Sequence, residues 1–289
     1  MKKVIALWII MVCFIGGCAP AEEETPTAAD GLLKIIFIDV GEGDSALIIA
    51  PDGKAMLIDA GVPSAFQTVD NVLSAYGVRQ LEAVVATHAH EDHMGGLVGI
   101  LNKYQVTALY GNGYSDSRIF SAYLSAAQVQ GLTPVALQAG DRINFSKGLT
   151  CEVVGPRDAS EAEGNNASII MRITYGRHHF LFTGDAEKAE EDDVLAKYGK
   201  GIRSTVIKVG HHGSTTSSSP AFAQAVKPKL AVISVGANSY GHPDQLVIHR
   251  WQKLGAEVYS TEQSGHIALE SDGQNLYLST QKTNTALAA

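Results

Sequence analysis

The stretch Thr87-His88-Ala89-His90-Glu91-Asp92-His93-Met94-Gly95-Gly96 constrains this chain more than any other. Leu81 and the apolar run 83–86 precede it and predict a buried strand, whereas Leu97, Val98, Ile100 and Leu101 behind it are spaced for a helix. His88 and His90 are two apart, so in extended backbone they point the same way. Asp92 and His93 follow where the chain must turn, and can approach the same point from another side. Imidazole and carboxylate are ligands for zinc, manganese and iron. The stretch therefore reads as a metal-binding loop rather than as a surface segment rich in histidine.

The N-terminus reads differently. Lys2 and Lys3 precede an apolar run over 4–15, the pattern of a secretory signal. The run ends Ile15-Gly16-Gly17-Cys18, which resembles the bacterial lipobox and marks Cys18 for lipid. A plain signal peptide or a short membrane anchor is the alternative, although the run is short for a spanning helix of about 20 residues. Cys13 would leave with the signal and Cys18 would carry lipid, so only Cys151 remains and no disulfide framework can form. Residues 19–31 form a polar, acidic tether. Without Lys2 and Lys3 the chain carries 20 basic against 30 acidic side chains. That balance excludes a broad basic nucleic-acid footprint but not a phosphodiester substrate, because bound dications supply local positive charge.

Beyond the tether, strands are predicted at 33–38, 45–50, 55–58, 81–86, 106–110, 134–138, 141–145, 149–154, 168–175, 178–183, 203–209, 230–235, 256–259, 265–270 and 275–279. Helices are predicted at 66–76, 97–104, 118–130, 186–198, 220–226 and 243–254. Strands interleaved with amphipathic helices in both halves fit two sheets packed face to face with helices outside.

Three more apolar strands end in ligand-type side chains: Leu57-Ile58-Asp59-Ala60-Gly61, Leu181-Phe182-Thr183-Gly184-Asp185, and Val206-Ile207-Lys208-Val209-Gly210-His211-His212-Gly213-Ser214. A buried carboxylate is costly unless it is paired or bound to metal. Ser214, Thr215 and Thr216 offer donors suited to phosphate oxygens. Gly241-His242-Pro243 sits at a helix start, where His242 could hydrogen-bond a phosphate or protonate a leaving group. His178, His179, His249 and His266 have no such company and are read as structural or exposed.

The pattern His-x-His-x-Asp-His-x-Gly-Gly resembles the signature of the metallo-β-lactamase superfamily, and the resemblance spans about residues 33–280. It implies an α/β (α+β) fold, a four-layer αββα sandwich with two divalent ions, zinc or manganese, at one edge of the sheets. It implies His88, His90, Asp92, His93, Asp185 and His212 as metal ligands, with Asp185 bridging the ions. His212 is favoured as ligand and His211 as its neighbour toward substrate. Asp39 and Asp59 are expected behind the ligands, Asp59 accepting a hydrogen bond from a ligand histidine or the loop backbone. Many members place a third ligand histidine about 20 residues before the bridging aspartate. Here that interval lands on Asn165, and no histidine lies between His93 and His178. Asn165 would supply an amide oxygen or leave room for water, shifting preference toward manganese.

Finer resemblances lie in Phe37-Ile38-Asp39-Val40-Gly41-Glu42-Gly43-Asp44-Ser45, Asn165-Asn166-Ala167-Ser168, His211-His212-Gly213-Ser214 and Tyr240-Gly241-His242-Pro243. These are similar to the hydrolase domain of ComEC-type DNA-internalisation competence proteins, with Glu42 where that family usually has Gln. In that family the domain is attached to membrane-spanning segments. None is read after residue 17, so a stand-alone, lipid-anchored relative on the outer face of a bacterial cell membrane is expected. Its parts would be a signal at 1–17, a tether at 18–32, the hydrolase domain at 33–280 and a tail at 281–289. The resemblance implies a metal-dependent phosphodiesterase or nuclease with Asp92, Asp185, His211 and His242 as catalytic groups. Ser214, Thr215, His211 and His242 would hold a phosphodiester, DNA being one candidate. The alternatives are a small-molecule or cell-wall phosphodiesterase such as a phosphorylcholine esterase, a lactonase or β-lactamase, and a metal-binding lipoprotein without catalysis.

Overall fold

The structure is a computed structural model that describes residues 31–113, 115–282 and 287. The expected signal, Cys18 and nearly all of the tether and tail lie outside the described residues. The first half of the fold comprises β1 (Leu33–Phe37), β2 (Ala46–Ile49), β3 (Ala55–Ile58), α1 (Phe66–Ala75), β4 (Gln80–Ala86), α2 (Glu91–Met94), α3 (Leu97–Lys103), β5 (Gln105–Gly111) and α4 (Arg118–Val129). Then follow β6 (Thr150–Gly155), β7 (Ile170–Tyr175), β8 (His178–Phe182), α5 (Lys188–Tyr198), β9 (Val206–Lys208), α6 (Pro220–Val226), β10 (Leu230–Ile233), α7 (Gln245–Lys253), β11 (Glu257–Ser260), α8 (Thr261–Ser264), β12 (Ile267–Ser271) and β13 (Leu276–Thr280).

One sheet has seven strands in the order β13-β12-β1-β2-β3-β4-β5, the other six in the order β11-β10-β9-β8-β7-β6. The central strands read as apolar runs because both faces of the sheets are covered there. On β1, Ile35 and Phe37 point into the core between the sheets, while Ile36 packs toward Val69 and Leu73 of α1. On β8, Phe180 and Phe182 face the same inter-sheet core, while Leu181 joins Phe222 of α6 and Trp251 of α7. Helices α1, α3 and α4 thus cover one sheet and α5, α6 and α7 the other, the expected four-layer αββα sandwich. Phe37 and Phe182 stack across the two sheets with ring centroids 5.8 Å apart, an aromatic contact worth about 0.5–1.5 kcal/mol beyond area burial.

Ser117, Ser219 and Asp244 accept hydrogen bonds from the first-turn N–H groups of α4, α6 and α7. The strands expected at 134–138 and 141–145 are not strands. Only single bridges form, Val135 to Tyr110 and Arg142 to Glu152. Pro134 has no N–H to donate, and a turn closed by Asp141 N–H on the Gln138 carbonyl (3.0 Å) interrupts the run. Leu137, Ile143 and Phe145 are still buried between the sheets. Their alternation therefore recorded core packing rather than a ladder.

Candidate metal centre

β3 and β4 run parallel, with Ile58 opposite Val85, so the residues just past their ends meet. Asp59 is fully buried in a left-handed conformation, φ 54°. Its Oδ1 accepts from the Thr87 N–H (2.8 Å) and its Oδ2 from the Thr87 hydroxyl (2.7 Å). The same Oδ2 lies 2.8 Å from His93 Nδ1, which places the proton on Nδ1 and turns Nε2 toward the centre. His93 belongs to α2, whose backbone is gripped from two sides. The Ala60 N–H donates to the His93 carbonyl (2.7 Å) and the Asp44 N–H to the Asp92 carbonyl (3.1 Å). That second grip requires Gly43, where a Cβ would come within 2.2 Å of the Asp92 carbonyl oxygen.

The second sheet supplies the opposite wall. Asp185 follows β8, and its N–H is held by Ser168 Oγ at 2.9 Å. His211 and His212 follow β9 in a turn where both take positive φ, 48° and 51°, a conformation that is uncommon outside glycine. The buried His212 directs Nδ1 to the Ser234 carbonyl (2.9 Å), leaving Nε2 3.2 Å from Asp92 Oδ2 and 3.3 Å from Asp185 Oδ2. His93 Nε2 lies 3.2 Å from the same Asp185 oxygen. Ligand atoms of Asp92, His93, Asp185 and His212 all fall within 4.8 Å of one another.

Burial alone would raise the Asp185 carboxyl, but His212 and His93 outweigh it and hold it well below the usual carboxylate range. Burial likewise works against charging His212 and His93, yet Asp185 and the other carboxylates push His212 up to about 10 and His93 well above its ordinary value. Two protons thus stand where the donor set calls for a cation. His93 Nε2, His88 Nε2 and Asp185 Oδ1 are buried without a hydrogen-bond partner among the described residues. Ring nitrogens and a carboxylate oxygen left without partners, among paired imidazoles and carboxylates, fit a divalent ion.

His88 and His90 form a less complete group. Their rings lie 4.4 Å apart and His88 is 4.2 Å from His93. Neither joins the compact four-residue set, and His90 is exposed. Burial, then the nearby His93, hold His88 well below its ordinary value, so its ring is neutral. Asn165 turns its amide to Glu187 (3.2 Å) and lies 3.5 Å from His211 Nε2, while its Oδ1 is buried without a partner among the described residues. Asn166 accepts from the N–H groups of Glu187 and Glu190 at the start of α5.

His211 and His242 sit beside the cluster with ring centroids 5.6 Å apart. His211 Nδ1 is 2.9 Å from Thr216 Oγ1. The His242 loop is fixed by Asn238, whose Oδ1 accepts from the N–H groups of Tyr240, Gly241 and His242. His242 Nδ1 lies 3.9 Å from Glu42 Oε1. Ser214 departs from expectation: it is buried and its hydroxyl pairs with Thr216, so Thr216 rather than Thr215 reaches His211. Asp39 also departs. Its carboxylate accepts from the Gly41 N–H and faces Lys282, so it turns away from the centre.

Asp44 stands where Asp39 was expected, 3.5 Å from His212 Nδ1 and 3.8 Å from His93 Nδ1, in a buried ion pair with Lys208. Lys208 Nζ also donates to the Gly184 carbonyl at 3.0 Å. A lysine inside the apolar run of 206–209 was the signal for this pair. Beside His88 opens a cleft of about 780 Å³, walled by Met94, Phe120, Tyr123, Leu124 and Pro134, and among the described residues no lysine or arginine lines it.

The profile of the metallo-beta-lactamase superfamily matches residues 38–237. The chain belongs to that superfamily. It is related to competence proteins, and its cluster of Asp92, His93, Asp185 and His212 could hold a metal ion. ComE operon protein 3 of Bacillus subtilis (strain 168) is 30% identical over 282 residues, 91% of this chain and 35% of the relative. Competence protein ComA of Neisseria gonorrhoeae is 33% identical over 229 residues, 78% of this chain and 30% of the relative. The chain thus spans about a third of the length of these relatives. Among solved structures, CmlA, a diiron beta-hydroxylase from Streptomyces venezuelae, superposes with a TM-score of 0.53 at 13% identity, over 85% of this chain and 55% of that one. That likeness bears on the fold alone. No helix among the described residues is long and apolar enough to cross a membrane.

Proposed function

We propose that the chain is a phosphodiesterase of the nuclease type. The observation that carries this reading is the His211–His242 pair, two imidazoles 5.6 Å apart beside the four-residue cluster. Asp92, His93, Asp185 and His212 would hold one divalent ion, zinc or manganese, and His88 and His90 with Asn165 a second. When bound, the ions supply Lewis acidity and lower the pKa of the attacking water.

The remaining work falls to side chains. Asp59 and the Ser234 carbonyl fix the tautomers of His93 and His212, so that both Nε2 atoms face the centre. Burial, with His211 and His212 close by, holds His242 below its ordinary value. His211 is lowered too, by burial. Both rings are then neutral near pH 7, and each can donate its one N–H to a phosphoryl oxygen, with Glu42 Oε1 3.9 Å from His242 Nδ1.

A second reading rests on the cleft beside His88. Its lining without lysine or arginine suits one uncharged substituent of a small phosphodiester better than a long polyanionic strand. The test is a substrate panel with zinc or manganese: bis(p-nitrophenyl) phosphate, single-stranded and duplex DNA, RNA, a lactone and a cephalosporin. Turnover of the phosphodiesters is expected, and hydrolysis of only the lactone or cephalosporin refutes the proposal. Activity on bis(p-nitrophenyl) phosphate without any on nucleic acid selects the small-substrate reading. We further propose that the protein is held at the outer face of the membrane by lipid on Cys18. Cys18→Ser is then expected to abolish lipid labelling, and a mature chain that starts elsewhere by mass spectrometry refutes that part.

A further inference from the structure

A second cavity, of about 520 Å³, lies on the far side of the six-stranded sheet. Arg172, Arg177, Arg203, Lys227 and Lys229 line it with His178 and His179, and among the described residues no acidic side chain does. Strands β8, β9 and β10 run parallel. The metal centre follows their C-terminal ends, whereas Arg177, Arg203, Lys227 and Lys229 lie just before their N-terminal ends and Arg172 lies on β7, opposite Leu181 of β8. The strand steps from His179 to Phe182, at about 3.3 Å each, set His179 about 10 Å back from the end of β8 that leads to the metal centre.

Five cations around one cavity repel one another, in a chain whose formal charge is −8. Some of that repulsion is offset locally. Arg172 pairs with Glu152 at 3.0 Å. Helix α6 ends at Val226 just before Lys227, and α5 ends at Tyr198 and runs through a short 3-10 turn to Ile202 just before Arg203. Each helix end contributes roughly half a negative charge. Glu152 and the two helix ends offset about two of the five charges and leave about three. Asp272, which faces His178, is already engaged by Asn275 and Gln274. Arg177, Arg203, Lys227 and Lys229 are exposed and make no ion pair among the described residues. Charge left in this form calls for an anion, and guanidinium forks beside ammonium groups match phosphate oxygens.

We propose that this cavity binds a phosphate-type oxyanion of two or more charges, as a site separate from the metal centre. Arg203 and Lys229 grip its oxygens from the entrances to β9 and β10, and Arg177 closes from the β7–β8 turn. Neither imidazole needs to carry charge for this. Burial holds His178 and His179 below their ordinary values, with Arg177 and Arg172 adding to it, so both rings are neutral near pH 7.

The test is calorimetric titration of the metal-loaded protein with inorganic pyrophosphate, wild type against the double variant Arg203→Gln with Lys229→Gln. Heat from the metal centre is common to both proteins and cancels in the comparison. Affinity is expected to fall about tenfold or more in the variant, through loss of charge-assisted hydrogen bonds from two side chains, and to weaken with salt in the wild type. Both positions are exposed, and an unchanged thermal midpoint without ligand shows that the variant is folded. Should that midpoint drop, Arg177→Gln with Lys227→Gln takes its place. The same isotherm in variant and wild type, or no binding by either, overturns the proposal. Vesicles containing phosphatidate then separate the sources. Sedimentation with them that the double substitution abolishes assigns a lipid headgroup, whereas binding of free pyrophosphate alone assigns a soluble phosphate.

Discussion

Replacing Asp59 by asparagine separates its two tasks, holding the loop and aiming His93. The carboxylate accepts from the Thr87 N–H, the Thr87 hydroxyl and His93 Nδ1 at 2.8, 2.7 and 2.8 Å. Asparagine is nearly isosteric and tolerates the φ of 54°. Its Oδ1 still accepts from Thr87, but an NH2 group now stands where Oδ2 was and must donate to Thr87 Oγ1 and His93 Nδ1. His93 is then forced to carry its proton on Nε2, the atom that lies 3.2 Å from Asp185, and has no lone pair there for an ion. No buried group is left unpaired, so the stability cost is about 1–2 kcal/mol, that of exchanging charge-assisted for neutral hydrogen bonds. Metal affinity falls by about 10–100-fold, the order for partners behind a ligand. Asp59→Ala behaves differently. It strands the buried Thr87 N–H and costs roughly 3 kcal/mol or more. Urea unfolding and chelator competition on the same samples read both quantities. Wild-type metal affinity in Asp59→Asn would refute the tautomer argument and leave Asp59 a purely structural residue.

Three further substitutions test neighbouring parts. Lys208→Met leaves Asp44 buried and unpaired, and is expected to cost about 3–5 kcal/mol in urea unfolding; adding Asp44→Asn should recover part of it. Glu190 is pushed up to about 7 by burial and then by Asp193. Its folded pKa exceeds the unfolded one, so the stability it contributes is fully present below about 4.5 and is lost as pH rises through 7. Glu190→Gln should therefore match wild type near pH 4.5 and exceed it at pH 8 by up to about 2 kcal/mol after allowance for partial solvation, read from thermal midpoints at the two values. Asn165→His should raise zinc affinity by about 10–100-fold and lower manganese preference in a two-metal titration. No change in either would mean that position 165 serves only His211 and Glu187.

The histidine loop was legible because His88, His90, Asp92 and His93 fall within six positions and their spacing is tied to one strand-to-helix turn. The sandwich was legible because its central strands are apolar on both faces. Asp39 and Asp44 were harder to separate, since both lie in one acidic, glycine-rich loop whose course depends on Gly43 touching the Asp92 carbonyl. The inward turn of Ser214 and the reach of Thr216 depend on the left-handed pair His211–His212, which no local propensity announces. His178 and His179 looked isolated along the chain because Arg203, Lys227 and Lys229 reach them only through strand pairing.

Charge balance at the centre leads to one more measurable consequence. Asp59, Asp92 and Asp185 surround His93 and His212, while Asp44 is matched by Lys208. Without an ion, Asp185 and Asp44, with Asp59 at His93 and Asp92 at His212, outweigh burial and keep both histidines protonated near pH 7, since His212 is pushed up to about 10 and His93 well above its ordinary value. A dication takes the place of two protons with no change in net charge, because both Nε2 atoms must be bare to ligate. Uptake of one ion near pH 7 should therefore release about two protons, and affinity should rise with pH until His212 loses its proton unaided, near 10. Calorimetry in buffers of different ionisation enthalpy counts the protons directly. A count near zero would mean that the carboxylates do not hold the histidines charged, and that the ion enters a site already stripped of protons.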